Sequence, residues 1–587
     1  MYTISNEAKT ALNKSFRDES HVRITYGLVD PDAPSLSTLV DNGHLGFSDV
    51  TEIDNIGFTV EKTYETLEPN RFILNDLGIV KAIDDTFPQG YVSSEMSKID
   101  RTFNTNPTIT ITFSEVTSLA GLTIDFDTIK NSYPSLFNIK AYNGVSLSYN
   151  NDYTPNTSSA YVVPTQMDDI DKIVFEFKET AIPYRRIRLN KLIYGILINL
   201  ATEDITKCEL KQSIELNSFE LPLNEFNFEI LDIDRNYDPE NPSNYLDYLE
   251  AGQEVAFFIG QTLDDNSIEW IPMCLDLTTG EAQVTDGGVA KLINFKTQSL
   301  LVGLNTIYDE GIYYVGGHSL ADLITDVITF AGVQDKFIID SSLNSITTKV
   351  MLYNMSCKEC LQLLVNAGNC NFNIQRDGKI KIEPVTFGTT EFDFTLSNSI
   401  TDPTFKSIPR IKNFYSKYYD VSLEADSEIA SVDISGATNL DVIVNYEPAS
   451  SISYTNVGLT VNGSPTIFGS KMLINVTGSG TIKVRGSLLK YTEVAYNVNV
   501  NPQGSDISVS NTLISDLTTC ANWVTFQSDL FAHQHSYSFD QRGFPQLDVQ
   551  DDVTFQNIDE DTITGKIIEN TISFDGTLKG KTKVVAI

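Results

Sequence analysis

Apolar and polar residues alternate with a period of two along much of the chain. TITITF (108–113), GLTIDFD (121–127), KIVFEFK (172–178), FNFEILDID (226–234), EVAFFIG (254–260) and KIKIEP (379–384) all repeat this way. Val, Ile, Phe and Thr at every second position predict half-buried antiparallel strands, with one face on a core and the other in water. Two segments carry the helical period instead. HSLADLITDVITFAGV (318–333) sets Leu320, Leu323, Ile324, Val327 and Ile328 on one face and stops near Gly332. SCKECLQLLVNAG (356–368) offers Ser356 as N-cap, Glu359 at the capping-box position and Gly368 as its stop. The predicted class is mainly β.

The chain has 587 residues, too many for one core, so the fold is multidomain, with three to five domains expected. Between about 420 and 500 the charge thins and small residues take over, as in ISGATNLDVIVNYEPASS. Short strands with turns every eight to twelve residues predict a small immunoglobulin-like sandwich there. The block from about 50 to 199 reads as a second self-contained β unit, and no fixed-period repeat is present.

Seventy-eight acids against 41 bases leave a net charge of −37. Phosphate neutralisation needs clustered Lys and Arg, so nucleic-acid binding and docking on an anionic membrane are disfavoured. Six cysteines scattered through the chain are too sparse for a disulfide scaffold and predict reduced thiols. No apolar h-region opens the chain, and no apolar run reaches the ~18 residues of a membrane span. Synthesis in a bacterial cytoplasm without general secretion is the expectation.

Three motifs suggest chemistry. DIDRNYDPENPSNY, from Asp232, spaces Asp232, Asp234, Asn236 and Asp238 like a calcium loop. Tyr237 and Ser243, however, stand where the glycine and bidentate glutamate of an EF-hand belong. The stretch therefore reads as a Pro/Asx corner, with Asn236, Asp238 and Asn241 capping backbone and Pro239 and Pro242 ending the strand. His318 with Asp322 (HSLAD), and His533 with His535 (HQH), imitate the ligand words of a zinc endopeptidase, but 210 residues separate Asp322 from the nearer His. His318 reads as the start of a helix; His533 and His535 would share a face if FAHQHSYSF is a strand. Cys357 and Cys360 form a CxxC whose second pair is missing, Cys370 alone not completing four ligands, so core thiols are expected. No Walker loop, GxSxG or GxGxxG is present. The reading is no enzyme, no catalytic residue, no metal ligand and no cofactor.

Taken in order, several segments resemble the baseplate hub, or tail-tip, proteins of tailed bacteriophages and phage-tail-like particles of Firmicutes. HVRITYGLVD (21–30) resembles the first strand of the hub barrel. TYETLEPNRFILN (63–75), TITITFSEVTSLAGLTIDFD (108–127) and PYRRIRLNKLIYGI (183–196) resemble the galactose-binding-like, or discoidin-like, insertion of such hubs. FNFEILDIDRNYDPENPSNYLDYLEAGQEV (226–255) is similar to their strand, N-x-x-P corner and G-Q-x-V phrase. NFNIQRDGKIKIEP (371–384) resembles the hairpin after the second-domain helix; RGFPQLDVQDDVTF (542–555) and GKIIENTISFDGTLKGKTKV (565–584) resemble the closing strands.

The resemblance implies tube-like hub β-barrels with a small α+β domain, a jelly-roll insertion and an immunoglobulin-like insertion. The division it implies is 1–45 first part of the hub barrel, 46–199 discoidin-like sandwich, 200–310 hub barrel continued, 311–420 second hub region with two helices, 421–500 immunoglobulin-like insertion and 501–587 closing hub strands. It implies a homotrimeric virion structural protein joining a six-fold tail tube to a three-fold tip. Such a protein would form part of the DNA and tape-measure channel, whose wall an acidic surface would suit by like-charge repulsion. Implied partners are further copies, tail tube and distal tail proteins, the tape-measure protein, other baseplate or fibre proteins, and a host glycan through 46–199. Hubs often continue into a peptidase or lysozyme domain, whereas this sequence stops at Ile587. The rival readings are a carbohydrate-binding adhesin and a tail-associated cell-wall hydrolase.

Overall fold

The structure is a computed structural model. It describes residues 1–586 apart from 54–89, 127–131, 155–159 and short stretches at 15, 31–32, 47, 164, 239, 242–244, 287–289, 389, 396–397, 400, 408–409, 533–534, 558 and 560. The segment 63–75 therefore lies outside the described residues. Strand makes up 54% and helix 13%, so the chain is mainly β, in several separate sheets, as its alternation predicts.

Among the described residues, the largest sheet has thirteen strands. In chain order they are β1 (Ser20–Val29), β2 (Gly195–Leu200), β3 (Ile205–Ser213), β4 (Leu223–Asp232), β5 (Glu254–Thr262), β6 (Ile268–Asp286), β7 (Lys291–Gln298), β8 (Phe392–Phe394), β9 (Thr404–Lys406), β10 (Ser536–Gln541), β11 (Asp552–Gln556), β12 (Thr562–Phe574) and β13 (Leu578–Ala586). Across the sheet the order is β2-β1-β5-β6-β7-β4-β3-β12-β13-β10-β9, with β11 pairing β12 and β8. The pairings are antiparallel except β8 with β11. Alternation drives the sheet together: Val22, Ile24, Tyr26, Phe226, Phe228, Phe257 and Phe295 from the first strands share one core with Phe539, Phe555, Ile572 and Phe574 from the last. Phe226 stacks on Phe257 at 4.4 Å. Each phenylalanine buried this completely contributes about 2–3 kcal/mol.

β1 and β2 frame an excursion. Val29 and Gly195 are Cα partners, so the chain leaves the sheet and returns to it at adjacent positions. Gly195 has φ +151, and a Cβ there would strike the Leu28 carbonyl; a side chain would open the point of return. Between them lie a five-stranded sheet (order Ser37–Asp41, Thr108–Leu119, Met167–Thr180, Pro134–Asn143, Ser146–Tyr153) and a four-stranded one (order Tyr91–Val92, Arg188–Ile193, Leu122–Phe126, Ala160–Val163). They pack face to face, with Phe126 edge-on to Phe137 and Phe177 at 6.1 Å. The strand pairings cross the sequence divisions at 46 and 199. Ser37–Asp41 is already an edge strand of the sandwich, and Gly195–Leu200 already belongs to the long sheet.

Among the described residues, four α-helices have eight residues or more: α1 (Asn6–Asn13), α2 (Leu320–Phe330), α3 (Cys357–Ala367) and α4 (Leu517–Ala532). α2 and α3 are the two predicted. Ser319 caps α2 by accepting from Asp322 N, and Ser356 with Glu359 forms the full capping box of α3. A three-stranded sheet (order Phe337–Ile339, Ile380–Pro384, Cys370–Ile374) packs with both helices. The apolar stripe of α2, Leu320, Leu323, Ile324 and Val327, shares one core there with Leu361 and Leu364 of α3, and Ile324 is fully buried within it.

The sequence pattern predicts no helix at α1 or α4. α4 buries Cys520, Trp523, Val524 and Leu530 along one face, but the polar Gln527 and Ser528 are buried with them, which blurs the apolar stripe in the sequence; burial against Phe414 and Phe219 holds it. α1 buries only Ala8, Ala11 and Leu12, a face too small to stand out. Because α4 runs through Ala532 and β10 begins at Ser536, FAHQHSYSF is not one strand.

Residues 411–499 hold long strands where short ones are expected: Ile411–Leu423, Ser427–Asn445, Ala449–Val461 and Lys471–Asn499. The last pairs with the first over 489–499, and with the second and third over 471–488. Register shifts at Ile434/Ala437 and Val457/Leu459 fall beside Gly436, Gly458 and Gly478, all at positive φ. The glycines that read as turns are bends, over which the strands fold to bury Val444, Met472, Ile474, Ile482 and Val484. Among the described residues, no helix is long and apolar enough to cross a membrane.

Candidate functional site

In the calcium-like corner Asp232 and Asp238 bond the corner's own backbone and one arginine, while Asp234 is exposed. Asp232 accepts from Asn236 N at 3.0 Å and Tyr237 N at 2.8 Å, and Asp238 accepts from Glu240 N at 3.0 Å and Arg235 Nε at 2.8 Å. Asn241 Nδ2 donates to the Arg235 carbonyl at 2.8 Å. These bonds fold a corner between β4 and β5 and turn the Asp232 and Asp238 carboxylates inward; Pro239 and Pro242 lie outside the described residues.

His318 precedes the cap of α2, lies against Tyr314 with ring centroids 4.1 Å apart, and reaches Asp322 at 3.4 Å. His535 is exposed and lies beside Phe405, ring centroids 5.5 Å apart; His533 lies outside the described residues. Among the described residues, no three His, Cys, Asp or Glu side chains gather as a metal set. Cys357 and Cys360 are fully buried in the core of α2 and α3, and burial pushes the Cys360 and Cys370 thiols up to about 12. Thiols held this far from ionisation are packing groups.

What the structure does bring together is the set of segments that resemble a hub. Residues 21–30, 226–255, 542–555 and 565–584 supply β1, β4, the start of β5, β11, β12 and most of β13 of the long sheet. Seven strands (β1–β7) form one run and six (β8–β13) another; β3 and β12 join them from Cys208↔Phe574 to Ser213↔Glu569. The hairpin at 371–384 clamps both runs. Arg376, at its tip, has a side chain only 7% exposed and forks onto Asp548 with Nη2 at 2.8 Å and Nε at 3.0 Å. Its Nη1 donates to the Pro272 carbonyl on β6 at 2.8 Å, and its guanidinium lies over Tyr2 at 4.5 Å. A planar fork serves this three-way junction where a lysine would not.

A second junction is amide-based. Asn366 of α3 donates to the Asn217 carbonyl at 2.7 Å, accepts from Asn511 at 2.7 Å, and offers its own carbonyl to Trp523 Nε1 of α4 at 3.0 Å. Within the long sheet, Asp276 of β6 is buried and accepts from Asn224 at 2.6 Å and Thr297 at 3.2 Å. Burial, opposed by those two bonds and one from Cys274, carries its carboxyl up to about 7.

The strands at the seam of the long sheet are mixed in charge. Lys207, Lys211, Lys579, Lys581 and Lys583 alternate with Glu209, Glu225 and Glu569, so the chain's −37 is not gathered there. Sequence reasoning missed Arg376, Asn366 and Asp276. Arg376 looks like any charged residue in a turn; Asp276 did leave a trace, as an acid inside the apolar run IPMCLDL.

No family model matches the sequence, and no curated protein does. Solved structures do resemble the fold. A tail protein from Neisseria meningitidis is 8% identical with a TM-score of 0.40, over 66% of this chain and 93% of that one. The 43 kDa tail protein of prophage MuSo2 from Shewanella oneidensis is 10% identical with a TM-score of 0.39, over 66% and 95%. A prophage tail protein from Listeria monocytogenes is 8% identical with a TM-score of 0.33, over 66% and 91%. At TM-scores below 0.5 these likenesses carry no argument about what this chain does.

Proposed function

We propose that the chain is a structural tail-tip protein, the baseplate hub of a phage-tail-like particle, which joins a six-fold tube to a three-fold tip as a homotrimer. The observation that carries the reading is the long sheet: segments hundreds of residues apart, each resembling a hub phrase and in the same order, are hydrogen-bonded into it as two runs of strands. Two runs per chain and three chains per ring give six similar units about the axis, which is what matching a tube to a trimeric tip requires. In this reading the ring encloses part of the channel for DNA and tape-measure protein, and tube, distal tail and fibre proteins are the neighbours. The sandwich between Val29 and Gly195 and the bent-strand unit at 427–486 are insertions that decorate the ring. The Arg376 and Asn366 junctions hold the runs, helices and hairpin as one rigid piece, a mechanical role rather than a catalytic one.

Mass measurement of the purified protein tests this. A chain of 65.2 kDa in a closed trimer gives about 196 kDa, three copies, at high concentration. A protein that stays monomeric at every concentration, or closes as a hexamer, removes the trimeric hub.

A further inference from the structure

We propose that a groove at the seam of the long sheet is a docking site for an amphipathic segment of another protein that carries lysine or arginine along its polar flank. The groove measures about 970 Å³ and is walled by the 213–223 connection, α4, residues 385–387 and parts of β9, β10, β12 and β13. It therefore touches both runs of the sheet where Ser213 faces Glu569.

Its floor is apolar. α4 turns Cys520, Trp523 and Val524 into the core behind it and leaves Phe526 and Leu530 to line the groove. Leu221 and Val585 line it as well, with Phe387, which is 44% exposed. The wall at 213–223 is held before any partner arrives: Ser218 donates to the Cys370 carbonyl at 2.5 Å, Asn366 to the Asn217 carbonyl at 2.7 Å and Asn371 to the Glu215 carbonyl at 2.9 Å. A preformed apolar groove loses little entropy on binding and suits the apolar face of a helix or strand.

The rim selects the sign of the partner. Glu215, Glu220, Asp529 and Glu569 line the groove against Lys406 and Lys583, and Lys583 stands directly across the strand pair from Glu569. Among the described residues, Glu215 and Glu220 have no ion pair. Partial desolvation and the neighbouring Glu220 push the Glu215 carboxyl up, so a cation placed between them relieves a repulsion already present. This inference stands on the groove itself and does not need the hub reading.

The test is fluorescence anisotropy with a labelled amphipathic Leu/Lys peptide, a scrambled peptide of the same composition without an apolar face, and a Leu/Glu counterpart. The Leu/Lys peptide is expected to bind with a Kd on the order of micromolar, and the other two at least about tenfold more weakly. Glu215→Gln with Glu220→Gln should weaken binding about tenfold, and Phe526→Glu should abolish it with the circular dichroism spectrum unchanged. Equal binding of the scrambled peptide, or of Leu/Lys peptide to all variants, would show general attraction to an acidic protein and overturn the proposal. So would a Phe526→Glu protein whose own oligomeric state changes, since the groove would then belong to a second copy.

Discussion

Replacing Asp276 by asparagine isolates the effect of a carboxyl buried without an ion pair. Its ordinary value of 3.8 is carried to about 7 in the folded chain. A raised acid stabilises the native state fully below 3.8, where both folded and unfolded chains hold the proton. As pH rises the unfolded chain ionises first, and native stability falls by ~1.4 kcal/mol per pH unit until the folded carboxyl ionises near 7. Asparagine keeps the shape, can accept from Asn224, and has no such slope. Between pH 5.5, clear of the pI near 4.4, and pH 8.0, the variant should therefore gain about 2 kcal/mol relative to the parent. Trp270 lies on the same strand, β6, so urea unfolding followed by its fluorescence, in a Trp523→Phe background, reads this part of the sheet. A difference between variant and parent that stays flat with pH, or that moves in the parent's favour as pH rises, would refute a neutral buried acid at 276.

Other outcomes follow from the same contacts. Arg376→Ala leaves Asp548 and the Pro272 carbonyl without their donor and should cost about 3 kcal/mol, measured by urea unfolding, with Arg376→Lys recovering only part. Excising residues 425–487 and bridging with Gly/Ser should leave α4 and its sheet folded, because Glu424 N already donates to the Leu488 carbonyl at 2.9 Å; loss of Trp523 burial in its emission spectrum would contradict this. Cys357, Cys360 and Cys370 should resist a thiol reagent at pH 8 until the protein is unfolded, and rapid labelling of native protein would contradict their packing role.

What could be read in the sequence was local. α3 was legible to its caps because Ser356, Glu359 and Gly368 act within one turn of the backbone they serve. The alternating runs gave strands, and the Asx-rich corner gave a turn, since the acids bond amides two to five residues away. α4 was illegible because its buried face mixes Gln527 and Ser528 with Cys520, Trp523, Val524 and Leu530, and packing against distant strands covers that face. The bends of 427–499 resemble turns in the sequence because glycine at positive φ serves both; whether the strand continues depends on the neighbour it pairs with. Among the strand pairings the seam reaches far, with Glu209 paired to Ser573 across more than half the chain, and nothing in either strand names its partner. The groove beside that seam was invisible for the same reason.

Cryo-electron microscopy of particles purified through an affinity tag on this chain tests the hub most directly. The account predicts three copies about the tail axis at the distal end of the tube, each contributing the two strand runs joined at β3 and β12 to one ring around the channel. Tagged protein found off the axis, in another copy number, or in no particle at all would contradict it.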